Sequence, residues 1–268
     1  MAQLSLRYAA GTDIGRRRRR NEDSALAGPS LLAVADGMGG HPHGDVASAA
    51  AVTALTEPPA PGDTAPGDPA AALAAAVSRA AARLEEMAAA DPELREMGTT
   101  LTALAWDGAG FDVAHIGDSR AYLLRGGDLF QITRDHTMVQ TLVDGGRLTP
   151  DQAANHPHAS TLLRALQPGG DQHPDLFRQD AAPGDRYLLC SDGLSGFVPA
   201  GAIRDALTGA ARPEDAVARL IALADAAGGP DNITCVVADV SGAAADPAHQ
   251  EPLLLGAAAG RGSRARRT

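Results

Sequence analysis

Four aspartates in this chain stand where an apolar run meets a glycine-bearing turn: Asp36 in LLAVADGMGG, Asp118 in FDVAHIGDS, Asp192 in YLLCSDGLSG and Asp231 in GGPDNITCVV. Strand ends hold their side chains rigidly, and adjacent glycines let carbonyls and ligands approach closely. Carboxylates converging from such positions make an oxygen site suited to Mg2+ or Mn2+. Any one Asp-Gly pair is an ordinary turn with a solvated carboxylate; the recurrence of the pattern is what points to a site. A further acidic pair, Glu22-Asp23, follows directly on the arginines at 16–20 and Asn21 in GRRRRRNEDS. Such a basic run is a solvated face, a nucleic-acid patch or, beside carboxylates, a place that attracts phosphate while the acids hold metal. The segment alone favours none of the three.

The elements that must position these groups are short and alternate in type. Apolar runs predict strands over 30–35, 99–106, 111–116, 120–124, 129–133, 186–190 and 233–240. Between the fourth and fifth stands Arg125-Gly126-Gly127-Asp128, whose glycines supply the positive φ of a tight antiparallel hairpin. Helices are predicted over 44–55, 69–90, around 137–144 and over 213–227. Asp68-Pro69 offers an N-cap with proline at the first helical position, and Gly228 a C-terminal stop. Many strands with hairpins and a few long helices give an α+β class, antiparallel sheets covered by helices rather than a doubly wound parallel sheet. The Pro/Gly-dense stretch 57–69 reads as a surface loop, and 242–268, ending GRGSRARRT, as a disordered arginine-rich tail beyond a single domain over 1–241.

Composition removes several chemistries. Among 268 residues, 44% are hydrophobic and only 3% aromatic, so the core is built from Ala, Leu, Val and Ile. The net charge of −10 disfavours general affinity for nucleic acid or anionic lipid and favours bound cations. Every basic residue is arginine, which excludes a P-loop ATPase, a protein kinase and any Schiff-base enzyme, because each needs a lysine amine. Cys190 and Cys235 sit inside apolar runs, at neither metal nor redox spacing, and fit a reducing cytosol. No secretory leader opens the chain and no apolar run is long enough to span a bilayer, so a cytoplasmic protein without an integral membrane segment is expected. Nothing suggests a coiled-coil seam, so a monomer is expected.

Taken in order, TDIGRRRRRNEDS, VADGMGGHPHGDVAS, GTTLTAL, AHIGDSRAYLLR, ITRDHTMVQTLVDGGRLT, HPHASTLLRAL, YLLCSDGLSGFV and GGPDNITCVV resemble the motifs of the bacterial metal-dependent type 2C serine/threonine protein phosphatases, over nearly all of 12–240. The resemblance implies a four-layer fold, two antiparallel sheets in a central sandwich with helices on both faces. It implies hydrolysis of phosphoserine and phosphothreonine by a water bridging two ions, Mn2+ or Mg2+, in opposition to bacterial Ser/Thr kinases. It implies that Asp36 bridges the two ions and that the Gly37 carbonyl serves one while Asp192 and Asp231 serve the other. Glu22 and Asp23 act directly or through water, Asp118 serves a third, weaker site, and Arg18, four residues before Glu22, binds phosphate. Arg17 is the alternative if the arginine loop shifts. Catalysis would thus fall to Asp36, Asp192 and Arg18. The stretch 135–166, with His136, His156 and His158, resembles the family's flap beside the active site, a place for substrate docking; a helical hairpin with surface histidines fits it equally well.

Phosphorylated proteins, Ser/Thr kinases among them, are the implied partners, and nucleic acid is not. Where some family members carry a histidine after the Asp-Gly, this chain has Met38; His41, His43 or a metal-bound water could serve as general acid, so that role stays open. A cysteine phosphatase needs an arginine six residues after its nucleophile, where Gly196 stands. Two other readings remain. One is a partner-switching phosphatase acting on anti-sigma antagonists, which usually carries a sensor domain. The other is a catalytically silent phosphoprotein-binding module, which would normally have lost one of the metal aspartates.

Overall fold

A computed structural model describes residues 4–38, 43–58, 68–242 and 252–259. In chain order come β1 (Ser5–Asp13), β2 (Asp23–Ala27), β3 (Leu31–Asp36), α1 (Gly44–Thr56) and α2 (Pro69–Ala90). A 3-10 turn at Pro92–Glu96 leads into β4 (Leu101–Trp106), β5 (Gly110–Ile116), β6 (Arg120–Arg125) and β7 (Asp128–Gln131). Then follow α3 (Met138–Asp144), α4 (Pro150–Ala154), β8 (Asp175–Asp180), β9 (Arg186–Cys190) and α5 (Asp192–Ser195). The last elements are α6 (Ala200–Thr208), α7 (Pro213–Ala226), β10 (Ile233–Ser241) and β11 (Leu253–Gly256). Two antiparallel sheets result, one ordered β1-β10-β9-β6-β7 and the other β11-β2-β3-β4-β5-β8.

The layers follow from which side chains each strand sends to which face. Along β3, Leu32 and Val34 enter the core between the sheets, with Tyr8, Phe111, Tyr187 and Val236, while Ala33 and Ala35 meet α1 and α2. Along β10, Val236, Ala238 and Val240 face the other sheet and Cys235 and Val237 face α6 and α7. A strand buried on both faces reads as a continuous apolar run, which is why β3, β9 and β10 are legible in sequence. The architecture is the expected α+β sandwich, helix, sheet, sheet, helix. Scarce aromatic residues are spent between the sheets, where Phe111 of β5 meets Tyr187 of β9 edge-on, with ring centroids 4.7 Å apart.

The expected turns and caps are present: Gly126 and Gly127 close the β6–β7 hairpin with φ of 63° and 92°, and the Asp68 carboxylate accepts from the Ala71 N–H to begin α2. Of the loop expected at 57–69, residues 59–67 lie outside the described residues. Within the stretch expected as a disordered tail, 242–268, the chain instead forms β11 on the edge of β2, Leu253 opposite Ala27 and Gly256 opposite Ser24. The edge of β2 would otherwise present unpaired backbone groups, and the run LLLG takes them up. No helix among the described residues is long and apolar enough to cross a membrane.

Candidate metal-dependent active site

Strand register brings the acidic residues to one end of the sandwich. Asp23 opens β2 directly opposite Asp36, the last residue of β3. Because Cys190 pairs with Cys235, the chain after β9 meets the chain before β10, and Ser191, next to Asp192, donates its hydroxyl to Asp23 Oδ2 at 2.8 Å. Leu101 opposite Ile116 sets the turn Gly117-Asp118 beside the Thr99-Thr100 approach to β4. Thr100 holds Asp36 in place, its Oγ1 accepting from the Asp36 N–H at 3.0 Å and its N–H donating to the Asp36 carbonyl at 2.9 Å.

One cavity of about 540 Å3 is lined by Arg18, Asp36, Asp118, Asp192 and Asp231 together with Met38, Thr100, Gln167 and the run Ser160-Thr161-Leu162. Glu22 stands at its margin, 3.6 Å from Arg18 Nη1. Gly37 is held where only glycine fits: a Cβ there would lie 2.4 Å from the Gly44 carbonyl oxygen. The stretch 135–166 lines the cavity through residues 160–162, and its α3 and α4, with His156, line a neighbouring cavity that shares Asp118, Ser160 and Asp192 with the first. His136 lies away from the cavity, buried, with Nε2 3.1 Å from Asp175 Oδ2. No histidine lines the first cavity among the described residues; His41 lies outside them, and His43 serves instead as the N-cap position of α1 at φ 66°.

Of the five arginines, Arg18 alone is half-buried, the other four being exposed. Its Nη2 donates to Asp231 Oδ2 at 2.7 Å. Asn232, which the sequence reading passed over in favour of its neighbour Asp231, anchors this loop: its Oδ1 accepts from the Glu22 N–H at 2.8 Å, and its Nδ2 donates to the Ile14 and Arg20 carbonyls at 2.9 Å each. Its signal was present in GGPDNITCVV. Ser191 and Thr100 were missed as well, because a hydroxyl that holds a carboxylate in place leaves no spacing pattern.

The electrostatics describe a site short of positive charge. Burial pushes Asp36 well above the usual carboxylate range, and Asp23, Asp192, Asp118 and Asp231 add repulsion. Burial likewise lifts Asp118 well up, with Asp192 and Asp135 adding to it and Arg120 opposing. Burial raises Asp192, Asp231 adds, and a hydrogen bond with Asp36 offsets part. Asp23 is pushed up to about 7 by burial, partly offset by the Thr234 and Ser191 hydroxyls, and its Oδ1 is buried without a hydrogen-bond partner. A divalent cation satisfies both the unpartnered oxygen and the crowding. Among the described residues, no three His, Cys, Asp or Glu side chains already form a closed metal-holding group. What stands here is a ring of carboxylates around a cavity, and the all-oxygen donor set fits Mg2+ or Mn2+.

Comparison with known proteins agrees with this geometry. The family model described as Protein phosphatase 2C matches residues 11–238. The serine/threonine protein phosphatase PstP of Mycobacterium tuberculosis (strain CDC 1551 / Oshkosh) is 49% identical over 259 residues, covering 96% of this chain and 49% of its own. This chain thus spans about half the length of that relative. The serine/threonine phosphatase stp of Listeria welshimeri is 36% identical over 242 residues, covering 85% of this chain and 93% of its own. Among solved structures, the catalytic domain of PstP in complex with two manganese ions superposes with a TM-score of 0.78 at 48% identity, covering 89% of this chain and 99% of that one.

Proposed function

Because this chain belongs to the protein phosphatase 2C family, we propose that it is a metal-dependent protein serine/threonine phosphatase that hydrolyses phosphoserine and phosphothreonine. The observation that carries this reading is the convergence of four strand-end aspartates and Arg18 on one cavity. Asp36, the Gly37 carbonyl, Asp192 and Asp231, with Glu22 and Asp23 directly or through water, are the groups that would hold two ions, Mn2+ or Mg2+, and Asp118 a third. Support comes from the unpartnered Oδ1 of Asp23 and from the two manganese ions of the similar PstP domain. When bound, the ions supply positive charge that makes water acidic enough to furnish hydroxide near neutrality and that stabilises phosphoryl oxygens.

The chain's own residues do the rest. Arg18 presents a planar fork to a phosphoryl group and takes up charge on its equatorial oxygens. Asp231 and Glu22 aim that guanidinium from either side, and Asn232 fixes the loop that carries it. Thr100 holds Asp36 through backbone and hydroxyl contacts, and residues 160–162 wall the cavity toward the flap. The catalytic domain, expected over 1–241, also takes in β11, which pairs with β2. It works in the cytoplasm as a monomer on phosphorylated proteins, Ser/Thr kinases among them.

The test is to mix a phosphothreonine peptide with purified protein and Mn2+ and to follow inorganic phosphate. Metal-dependent release supports the phosphatase. Tight retention of intact phosphopeptide without release would support the silent binding module instead.

A further inference from the structure

Strand β11 returns the chain to the sheet edge that carries two of the acidic residues. Just past its end, the Ala257 N–H donates to the Asp23 carbonyl at 2.8 Å, and the Ala258 N–H donates to Ser24 Oγ at 3.2 Å. Ser24 Oγ lies 3.0 Å from Ser48 Oγ on α1, and Ser48 Oγ donates to the Glu22 carbonyl at 2.5 Å. Each hydroxyl has a single proton. The contacts are therefore served together in one direction, from the Ala258 N–H to Ser24, from the Ser24 O–H to Ser48, and from the Ser48 O–H to Glu22.

The seating is close. Gly256 has φ +67°, and a Cβ on it would lie 2.1 Å from the Asp23 carbonyl oxygen. Ala258 is 1% exposed, inside the cluster between α1 and the sheet. A segment remote in sequence thus grips the backbone of Asp23 and Ser24 from behind and reaches the Glu22 carbonyl through Ser24 and Ser48, while the Glu22 side chain meets Arg18 and Asp23 pairs with Asp36.

We propose that residues 256–258, at the end of β11, are a positioning strap, which by docking on β2 fixes the backbone of residues 22–24 and so sets how tightly Glu22 and Asp23 hold a divalent ion. The inference rests on reading those two residues as metal ligands. Groups that orient a metal's ligands typically change its affinity by about 10–100-fold. Linkage is reciprocal: a strap that tightens the ion must itself be tightened by the ion.

The experiment uses the full chain. Amide hydrogen exchange at Ala257 and Ala258 is measured with and without saturating Mn2+, and Mn2+ is titrated calorimetrically into the wild type, Gly256→Val and Leu253→Ser. Mn2+ should slow exchange at both amides by about tenfold. Gly256→Val, whose side chain collides with the Asp23 carbonyl, should weaken Mn2+ binding by about tenfold and remove the slowing. Leu253→Ser, at the far end of β11 and 47% exposed, should do neither. Wild-type protein that binds Mn2+ without any change at Ala257 and Ala258 overturns the strap, as does Gly256→Val binding Mn2+ like wild type. Should Gly256→Val fail to fold, the wild-type exchange decides alone. Wild-type protein that binds no Mn2+ overturns the ligand reading and the strap with it.

Discussion

Arg18 Nη2 donates to Asp231 Oδ2 at 2.7 Å, so the group that would grip phosphate and a group that would hold metal restrain each other. The Asp231 Oδ1 is also engaged, by the Asn232 N–H at 2.8 Å.

From this pairing Arg18→Ala should raise KM for a phosphate ester about tenfold or more, the loss of a charge-assisted forked contact. Mn2+ affinity should stay the same or tighten, because a positive charge has left the neighbourhood of the carboxylates. Arg17→Ala, at an exposed position, should change neither. Steady-state kinetics at saturating Mn2+ with parallel calorimetry separates the two effects; a KM rise in Arg17→Ala instead would move the phosphate contact by one residue.

Asn232 is 3% exposed and ties Glu22, Ile14 and Arg20 together. Replacing it with Ala leaves three part-buried backbone groups without this partner and should cost about 1–3 kcal/mol of stability. The loop bearing Arg18 would loosen, so KM for phosphate esters should rise as well. Denaturant unfolding and KM on one preparation test both; a destabilised variant with unchanged KM would show that the loop is held by other means.

His115 is 0% exposed, its Nδ1 2.9 Å from Thr102 Oγ1 and its Nε2 3.0 Å from the Arg134 carbonyl. Burial, with repulsion from His136 next, holds its pKa down to about 4 against an ordinary 6.5. Between those values the unfolded chain binds a proton that the folded chain refuses, so stability falls as pH drops from 6.5 to 4, by on the order of 3 kcal/mol in all. His115→Gln should flatten that part of the curve in urea unfolding across the window. An unchanged slope would assign it elsewhere.

Cys190 and Cys235 face each other across β9 and β10, both buried. Burial pushes Cys190 up to about 12 and Cys235 well above its ordinary value. Neither thiol should react with a disulfide reagent in the native protein within minutes, both should react after unfolding, and Cys190→Ala should retain phosphatase activity. Rapid native labelling would contradict this.

Strands that are apolar on both faces were the most legible part of the sequence, and the glycines at 126–127 declared the exposed β7 by its hairpin. Strands such as β3, β9 and β10 show unbroken apolar runs, and their ends display the aspartates. By contrast β8, DLFRQD, alternates exposed and half-buried residues at a sheet edge, and β2, DSALA, is fully buried yet made of small residues, so neither declared itself. Helix α6, AGAIRDALT, is nine residues long and buries only Ile203, Ala206 and Leu207, too short an apolar stripe to declare itself. β11 was hidden because its pairing depends on an edge 226–232 residues away in the chain, which no local pattern encodes. The arginine run was undecidable locally, since only tertiary contact with Asp231 and Glu22 distinguishes Arg18 from its neighbours.

The central claim is that the carboxylate ring holds the metal on which catalysis depends. It is tested most directly by phosphate release from a phosphothreonine peptide at neutral pH, comparing wild type with Asp36→Asn and Asp192→Ala, with Mn2+ and with chelator. We expect release only by wild type with Mn2+, and a fall of about 100-fold or more in either variant, roughly 3 kcal/mol of transition-state stabilisation. Undiminished release in chelator, or in Asp36→Asn, would contradict the account.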